Sequence, residues 1–459
     1  MRNAHFKYYS TNLKSPSVSF SEALLRGLAP DGGLYMPEVI PSLTEDTIRR
    51  FSSSEYWEIA SAILSRFVGD DIDISNLTDL CRNAYDFSIP VEKVFLNNYI
   101  LRLDQGPTAS FKDFAARIMA KLMNYFVSLK GVHITVLTAT SGDTGSAVAN
   151  AFYGLGNINV VVLFPLKEVT NIQRKQMTTL NKNISTIAVE GKFDDCQKFV
   201  KQAFLDPALS DLSLSSANSI NIGRLLPQAV YYFYAWSRIT GSITTPVVFS
   251  VPSGNYGNLM GGIIAREMGL PVIKYVIAAN ENNEVTEFLK NGKYNKIVPS
   301  IDCISNAMNV GHPSNLARIV AFYGGMMDEL GTIIKDPDIV RMRNDLFGVS
   351  LSDSETRSSM HDSYKSYNIF LEPHGAVAWE SLRRFKSSGQ NMHGEDQICI
   401  SLETAHPAKF IEEVKSQTGI SPDIPEKFRL LEDKPELFST IDNNYEEFRQ
   451  LLLKLNNKN

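Results

Sequence analysis

The stretch Val247-Val248-Phe249-Ser250-Val251-Pro252-Ser253-Gly254-Asn255-Tyr256-Gly257-Asn258 opens with an apolar run, turns through a small-residue loop and leads into helix-like Leu259 to Met268. An apolar run without polar alternation is what a strand covered on both faces requires. Glycines in the loop let backbone N–H groups approach an anion closely, and the following helix start adds a partial positive charge. Strand, loop and helix together suit a phosphate, although an ordinary tight turn explains an isolated copy equally well. The spacing is neither Gly-x-Gly-x-x-Gly nor Gly-x-x-x-x-Gly-Lys-Ser/Thr, which speaks against a dinucleotide or a P-loop nucleotide.

Upstream the pattern repeats. Ile134 to Thr138 reads as a strand, Thr138-Ala139-Thr140-Ser141-Gly142-Asp143-Thr144-Gly145 as a loop, and Ser146 to Tyr153 as a helix. Val160 to Phe164 before Pro165 is another buried strand. Strands alternating with helices predict an α/β core of parallel sheets. Two such loops give one core two anion sites, with the Ser141 and Thr144 hydroxyls as added donors. Residues 1–95 differ: turn signals at Ala29 to Gly33 and helical periodicity over Thr44 to Phe67 predict a separate N-terminal unit that supports the site without supplying its chemistry. Residues 96–459 are expected to form the core, with a smaller subdomain inserted at roughly 120–235. The tail from Ile411 to Asn459 reads as helices with a polar end.

Composition narrows the function. Lys plus Arg number 45 against 50 Asp plus Glu, a net charge of −5, and there is no basic run to follow a nucleic-acid backbone, so no nucleic-acid partner is expected. No segment reaches the ~20 apolar residues of a membrane span, and the N-terminus has no export signal, so neither membrane insertion nor export is expected. Cys81, Cys196, Cys303 and Cys399 are scattered and read as buried, reduced thiols of a cytoplasmic protein. Among the seven histidines, His312, His374 and His406 are read as structural hydrogen-bonding groups, and no metal site is expected.

The remaining element is Gly106-Pro107-Thr108-Ala109-Ser110-Phe111-Lys112-Asp113-Phe114-Ala115-Ala116-Arg117. Lys112 falls where a turn enters a helix, beside Phe111, and both desolvation and the helix start would depress its pKa and favour a neutral, nucleophilic amine. A lone lysine is more often solvated, so this reading rests on context.

The context is a resemblance. Gly106 to Arg117 is similar to the lysine motif of threonine synthases, and Ser253 to Asn258 resembles the phosphate loop of fold-type-II pyridoxal 5′-phosphate (PLP) enzymes, which include the tryptophan synthase β subunit and serine dehydratases. Gly27 to Tyr35, Ser216 to Arg224, Ser305 to Asn315, Glu372 to Ala376 and Thr404 to Phe410 match as well, nearly end to end. The resemblance implies a tryptophan synthase β-like fold of two three-layer α/β subdomains plus the N-terminal unit. It makes Lys112, next to Phe111, the Schiff-base lysine, Gly254, Asn255, Tyr256, Gly257 and Asn258 the cradle of the cofactor phosphate, and Thr404 the partner of the pyridine nitrogen. Ser141, Gly142, Asp143 and Thr144 fall on the loop that holds the substrate carboxylate; several relatives carry Asn where Asp143 stands, and its carboxylate is expected to face backbone N–H groups. Asn218, Ser219 and Arg224 match positions that bind a substrate phosphate, for which the planar fork of Arg224 is apt.

The implied activity is the conversion of O-phospho-L-homoserine and water to L-threonine and phosphate, with Lys112 moving protons beside the substrate. Closure between two subdomains is expected to exclude water. The same motifs would serve a phospho-lyase that releases a 2-oxo acid, ammonia and phosphate. A non-catalytic binding protein is the third reading, against which the lysine and both glycine loops argue. Whether the protein is a monomer or a homodimer is left open.

Overall fold

A computed structural model of the chain describes residues 6–240, 242–391 and 394–456; the extreme ends of the expected N-terminal unit and polar tail lie outside the described residues. Two sheets organise the rest. The larger has six strands in the order Leu346–Ser350, Val272–Ala279, Val247–Pro252, Ile398–Glu403, Asn98–Arg102 and Val91–Phe95. Its pairings are parallel except the last, an antiparallel hairpin at the edge. The smaller has five parallel strands in the order Ser439–Asp442, Ile184–Glu190, Ile158–Pro165, Ile134–Ala139 and Leu214–Ser216. Every residue of Val247–Pro252, Ile134–Ala139 and Ile398–Glu403 is buried, which explains why these strands are mostly apolar and do not alternate with an exposed polar face.

Both sheets deliver the carboxyl ends of their strands to one region, where open α/β sheets place ligand crevices. The helix after Ile134–Ala139 begins at Asp143 and runs to Phe152, so it starts three residues earlier than the periodicity predicts. The cause is Thr140, whose Oγ1 accepts from the amides of Gly142 and Gly145 at 2.9 and 2.8 Å and satisfies donors that open the helix. Asp143 is therefore a helix residue and not a loop residue.

The helical periodicity over Thr44 to Phe67 is carried by helix Glu45–Arg50, a short 3-10 turn at Phe51–Ser53 and helix Tyr56–Leu64; a capping box between Glu55 and Glu58 starts the second helix. One further expectation is corrected. The tail contains a strand, Ser439–Asp442, as well as helices. Only Ile441 of that strand is buried; it packs with Ile187 and Val189, and with Phe448 and Leu452 of helix Tyr445–Asn456. One inward residue is too weak a pattern to be read as a strand.

The N-terminal segment adds a small hairpin, Tyr8–Ser10 against Tyr35–Pro37, and helices packed on the core. Its tightest link is Arg318, a fully buried guanidinium. Arg318 donates to the Tyr35 carbonyl at 3.1 and 3.0 Å, to the Ser219 carbonyl at 3.2 Å, to the Ile220 carbonyl at 2.6 Å and to Asn315 Oδ1 at 2.6 Å. One side chain thus joins the N-terminal hairpin to the segment that begins at Asn218.

Candidate active site

Lys112 is the first residue of helix Lys112–Lys130, and the turn before it is fixed from within. Asp113 accepts from the Thr108 amide at 2.8 Å and the Thr108 hydroxyl at 2.7 Å. A Cβ on Gly106 would lie 2.5 Å from the Asp113 carboxylate, so the turn closes only with glycine there. The turn is also stitched to the end of strand Ile398–Glu403: the Phe111 amide donates to the Thr404 carbonyl at 2.9 Å and the His406 amide to the Ala109 carbonyl at 3.1 Å. Lysine and Thr404 are held together by main chain, not by side-chain packing alone.

Every residue given a cofactor or substrate role from the sequence, except Gly142, lines one cleft between the two sheets. The Lys112 amine enters it with its side chain 14% exposed, 4.6 Å from the centre of the Phe111 ring. Burial pushes this amine down to about 8, helped by the charges of Arg224 and Lys409 and opposed by Asp143 and Glu372. Gly142 lies behind the cleft wall at φ +133°, where a Cβ would meet the Gln173 side chain at 2.5 Å.

On the phosphate loop, Tyr256 takes a left-handed conformation, φ 59°, and helix Gly257–Glu267 follows. A Cβ on Gly254 would lie 2.6 Å from the Ala307 carbonyl oxygen and 2.9 Å from Met308 Cα, so the loop lies flat on that segment. Asn258 is gripped from behind: its Oδ1 accepts from the hydroxyls of Tyr231 and Tyr232, while its Nδ2 is buried with no partner. Asn255 Nδ2 donates to Ser219 Oγ, and its Oδ1 accepts from the Ser314 amide at 2.6 Å. An unpartnered buried donor in a glycine turn at a helix start is the setting an anion completes.

Asp143 departs from expectation. Its carboxylate does not face backbone N–H groups: Oδ1 accepts from Lys409 Nζ at 2.8 Å and Gln173 Nε2 at 2.9 Å, and Oδ2 lies 4.0 Å from Lys112 Nζ. Burial opposes its charge, but the two ammonium groups and the hydrogen bonds from Lys409 and Gln173 outweigh it and hold the carboxyl well below the usual carboxylate range. Backbone amides lose here because the helix starts at Asp143 itself, with the Thr140 hydroxyl taking the Gly142 and Gly145 N–H groups.

Arg224 sits in the short helix Ile222–Leu225 and is 3% exposed. Its Nη1 donates to the Ala217 carbonyl at 2.6 Å, and its Nε is buried with no partner. Burial pushes it down to about 10, with Asp113 and Tyr231 opposing. Asn218 leaves its Oδ1 unpartnered while its Nδ2 donates to the Ala139 carbonyl at 2.7 Å.

Sequence reading gave no site role to Lys409 or Gln173, and it took His374 as structural although it borders the cleft. His374 Nδ1 bonds the Glu372 carboxylate, and its Nε2 accepts from the Ala307 amide at 3.0 Å, so both ring nitrogens are engaged and the ring is held in place. Lys409 lies inside the quoted stretch Thr404 to Phe410, but its partner is 266 positions away, so nothing local marked it.

A buried amine, an unsaturated phosphate turn and Thr404 beside them fit pyridoxal phosphate. Lys112 would carry it, the turn at Gly254 to Asn258 would hold its phosphate, and Thr404 would meet its ring nitrogen; when bound it supplies an electron sink for carbanion chemistry.

Comparisons with known proteins agree with this geometry. The chain matches the family descriptions "Threonine synthase N terminus" over residues 7–85, "Pyridoxal-phosphate dependent enzyme" over 92–403 and "Threonine synthase, C-terminal" over 375–452. It is 40% identical over 451 residues to a threonine synthase of Haemophilus influenzae, covering 96% of this chain and 99% of the relative. It is 37% identical over 448 residues to that of Escherichia coli, covering 97% and 99%. The solved PLP-bound threonine synthase from Brucella melitensis superposes with a TM-score of 0.89 at 33% identity, covering 98% of this chain and 99% of that one. The fold is thus that of fold-type-II PLP enzymes, and the chain belongs to the threonine synthase family of pyridoxal-phosphate-dependent enzymes.

Proposed function

We propose that the protein converts O-phospho-L-homoserine and water to L-threonine and phosphate, in the cytoplasm, with residues 96–459 as the catalytic core. The observation that supports this most is Arg224: a buried guanidinium on the lining of the cleft whose Nε has no partner. A substrate with a phosphate at its far end returns to such a group the partner it lacks, and a bidentate contact suits both geometries. Ser219, held by Asn255, completes that end of the cleft. Ser141 and Thr144 line the opposite wall and take the substrate carboxylate.

Lys112 is assigned the proton transfers. Its amine is desolvated and sits 4.0 Å from Asp143, too far for a hydrogen bond, so it is free to turn toward substrate. The phospho-lyase alternative is not favoured by the relatives from Haemophilus influenzae, Escherichia coli and Pseudomonas aeruginosa, which carry the name threonine synthase. Incubation of purified protein with O-phosphohomoserine and cofactor decides between the two. L-threonine and phosphate in equal amounts are expected; 2-oxobutyrate as the main product would overturn the reading.

A further inference from the structure

Two lysines share one carboxylate at the base of the cleft. Lys409 has a fully buried side chain and lies 2.8 Å from Asp143 Oδ1, while Lys112 lies 4.0 Å from Oδ2. Gln173 Nε2 also takes Oδ1, at 2.9 Å, so that oxygen is saturated by groups other than Lys112. The arrangement spans three segments that the fold fixes relative to one another. Lys112 and Lys409 lie on segments joined by the Phe111-to-Thr404 and His406-to-Ala109 main-chain bonds. Asp143 is brought from the smaller sheet at the start of helix Asp143–Phe152.

We infer that Lys409 is a positioning residue for Lys112: by taking Asp143 into a buried ion pair, it denies the Lys112 amine a counter-ion of its own and keeps that amine ready to lose its proton. The inference rests on the assignment of Lys112 as the lysine that carries the cofactor. One carboxylate cannot fully neutralise two ammonium groups in a water-poor site, and the lysine with the short contact takes most of it. Remove Lys409, and Asp143 is left with Lys112 as its only close cation among the described residues.

The other charged groups nearby do not alter the sign. Arg224 and Glu372 also act on the Lys112 amine, one lowering and one raising its affinity for a proton. Asp113, Lys427 and His406 feel the Lys409 charge from their own segments. A substitution at position 409 acts on these three as well, but they are not among the charges that set the Lys112 amine, which are Asp143, Arg224, Lys409 and Glu372.

The test uses the full chain with cofactor bound and follows its visible absorption band through a pH titration, which reports the proton on the Lys112 nitrogen. Lys409→Met is expected to move the midpoint upward by about one pH unit or more, the size that loss of one charge at ~4–6 Å produces. Asp143→Asn is expected to move it downward, and Lys409→Arg to leave it nearly in place. A lysine that only fills space would show no shift in Lys409→Met, and that outcome, or an upward shift in Asp143→Asn, overturns the inference. If Lys409→Met does not fold by circular dichroism, the sign of the Asp143→Asn shift decides.

A second readout separates this inference from the assignment beneath it. In cofactor-stripped chain, the pH dependence of Lys112 acetylation by trace acetic anhydride, referred to exposed Lys167 in peptide mass spectra, should move with the same signs. If the visible band survives in Lys112→Ala, the cofactor assignment fails while the acetylation profiles still judge the role of Lys409.

Discussion

The Phe111 amide donates to the Thr404 carbonyl at 2.9 Å, closing a two-residue antiparallel contact between the lysine turn and the end of a central strand. That bond sets how far the Lys112 amine stands from the Thr404 hydroxyl, because each residue neighbours or belongs to the bonded pair. A cofactor that must meet both at once finds them already spaced by rigid main chain, and pre-organisation of this kind lowers the ordering cost of binding. Ala109, held at φ 54° in the same turn, is the local strain that this contact keeps in place.

Lys112 should capture free pyridoxal phosphate with a rate that follows its neutral fraction. Its midpoint is pushed down to about 8 by burial, and the neutral amine, the form that attacks an aldehyde, is populated above that pH and lost below it. Capture at pH 7 should be about tenfold slower than on the alkaline plateau, since each pH unit below the midpoint cuts the neutral fraction about tenfold. Stopped-flow growth of the visible band in cofactor-stripped protein measures this. A Lys112→Ala chain should show no band at any pH while keeping its circular dichroism.

Arg224→Ala should weaken the phospho-substrate far more than the cofactor. Truncating one partner of a buried charged contact costs about 2–5 kcal/mol, so kcat/KM should fall by some orders of magnitude with most of the loss in KM. Steady-state kinetics with O-phosphohomoserine, beside a cofactor titration that stays unchanged, separates this from general damage. An unaltered kcat/KM would remove Arg224 from the phosphate site.

Gly254→Ala probes the cradle. The added methyl would meet the Ala307 carbonyl oxygen at 2.6 Å and Met308 Cα at 2.9 Å, and neither is a flexible side-chain end. The loop must lift, at a cost of about 1–3 kcal/mol typical of overpacking. Cofactor affinity should drop and the melting temperature of the loaded protein should fall, both readable by thermal denaturation at graded cofactor concentration.

Arg318→Leu should loosen the N-terminal segment and the substrate side together. It strips the Tyr35, Ser219 and Ile220 carbonyls of a charged donor, and such bonds are worth about 1.5–3 kcal/mol each. A lower melting temperature and raised KM for the phospho-substrate are expected together, with hydrogen exchange accelerating around Tyr35. A melting temperature unchanged by the substitution would sink this account.

What the sequence determined by itself is everything carried by local pattern. Continuous apolar runs such as Val247 to Val251 declared buried parallel strands because a strand covered on both faces has no polar face to show. The glycine loops suggested anion sites because glycine permits a close backbone approach, and Lys112 was marked by the family resemblance of the stretch around it, since a helix start alone does not single out a lysine. Tertiary structure decided what depends on distant partners. Asp143 faces Lys409 and not backbone amides because a residue 266 positions away supplies a closer and stronger charge. Arg318 reaches Tyr35, 283 positions away, and Ser219, 99 positions away, and strand Ser439–Asp442 exists only because Ile184–Glu190 offers it an edge. Electrostatic pairing and edge docking act through space, and a linear pattern holds no record of which groups the fold will bring within a few ångströms.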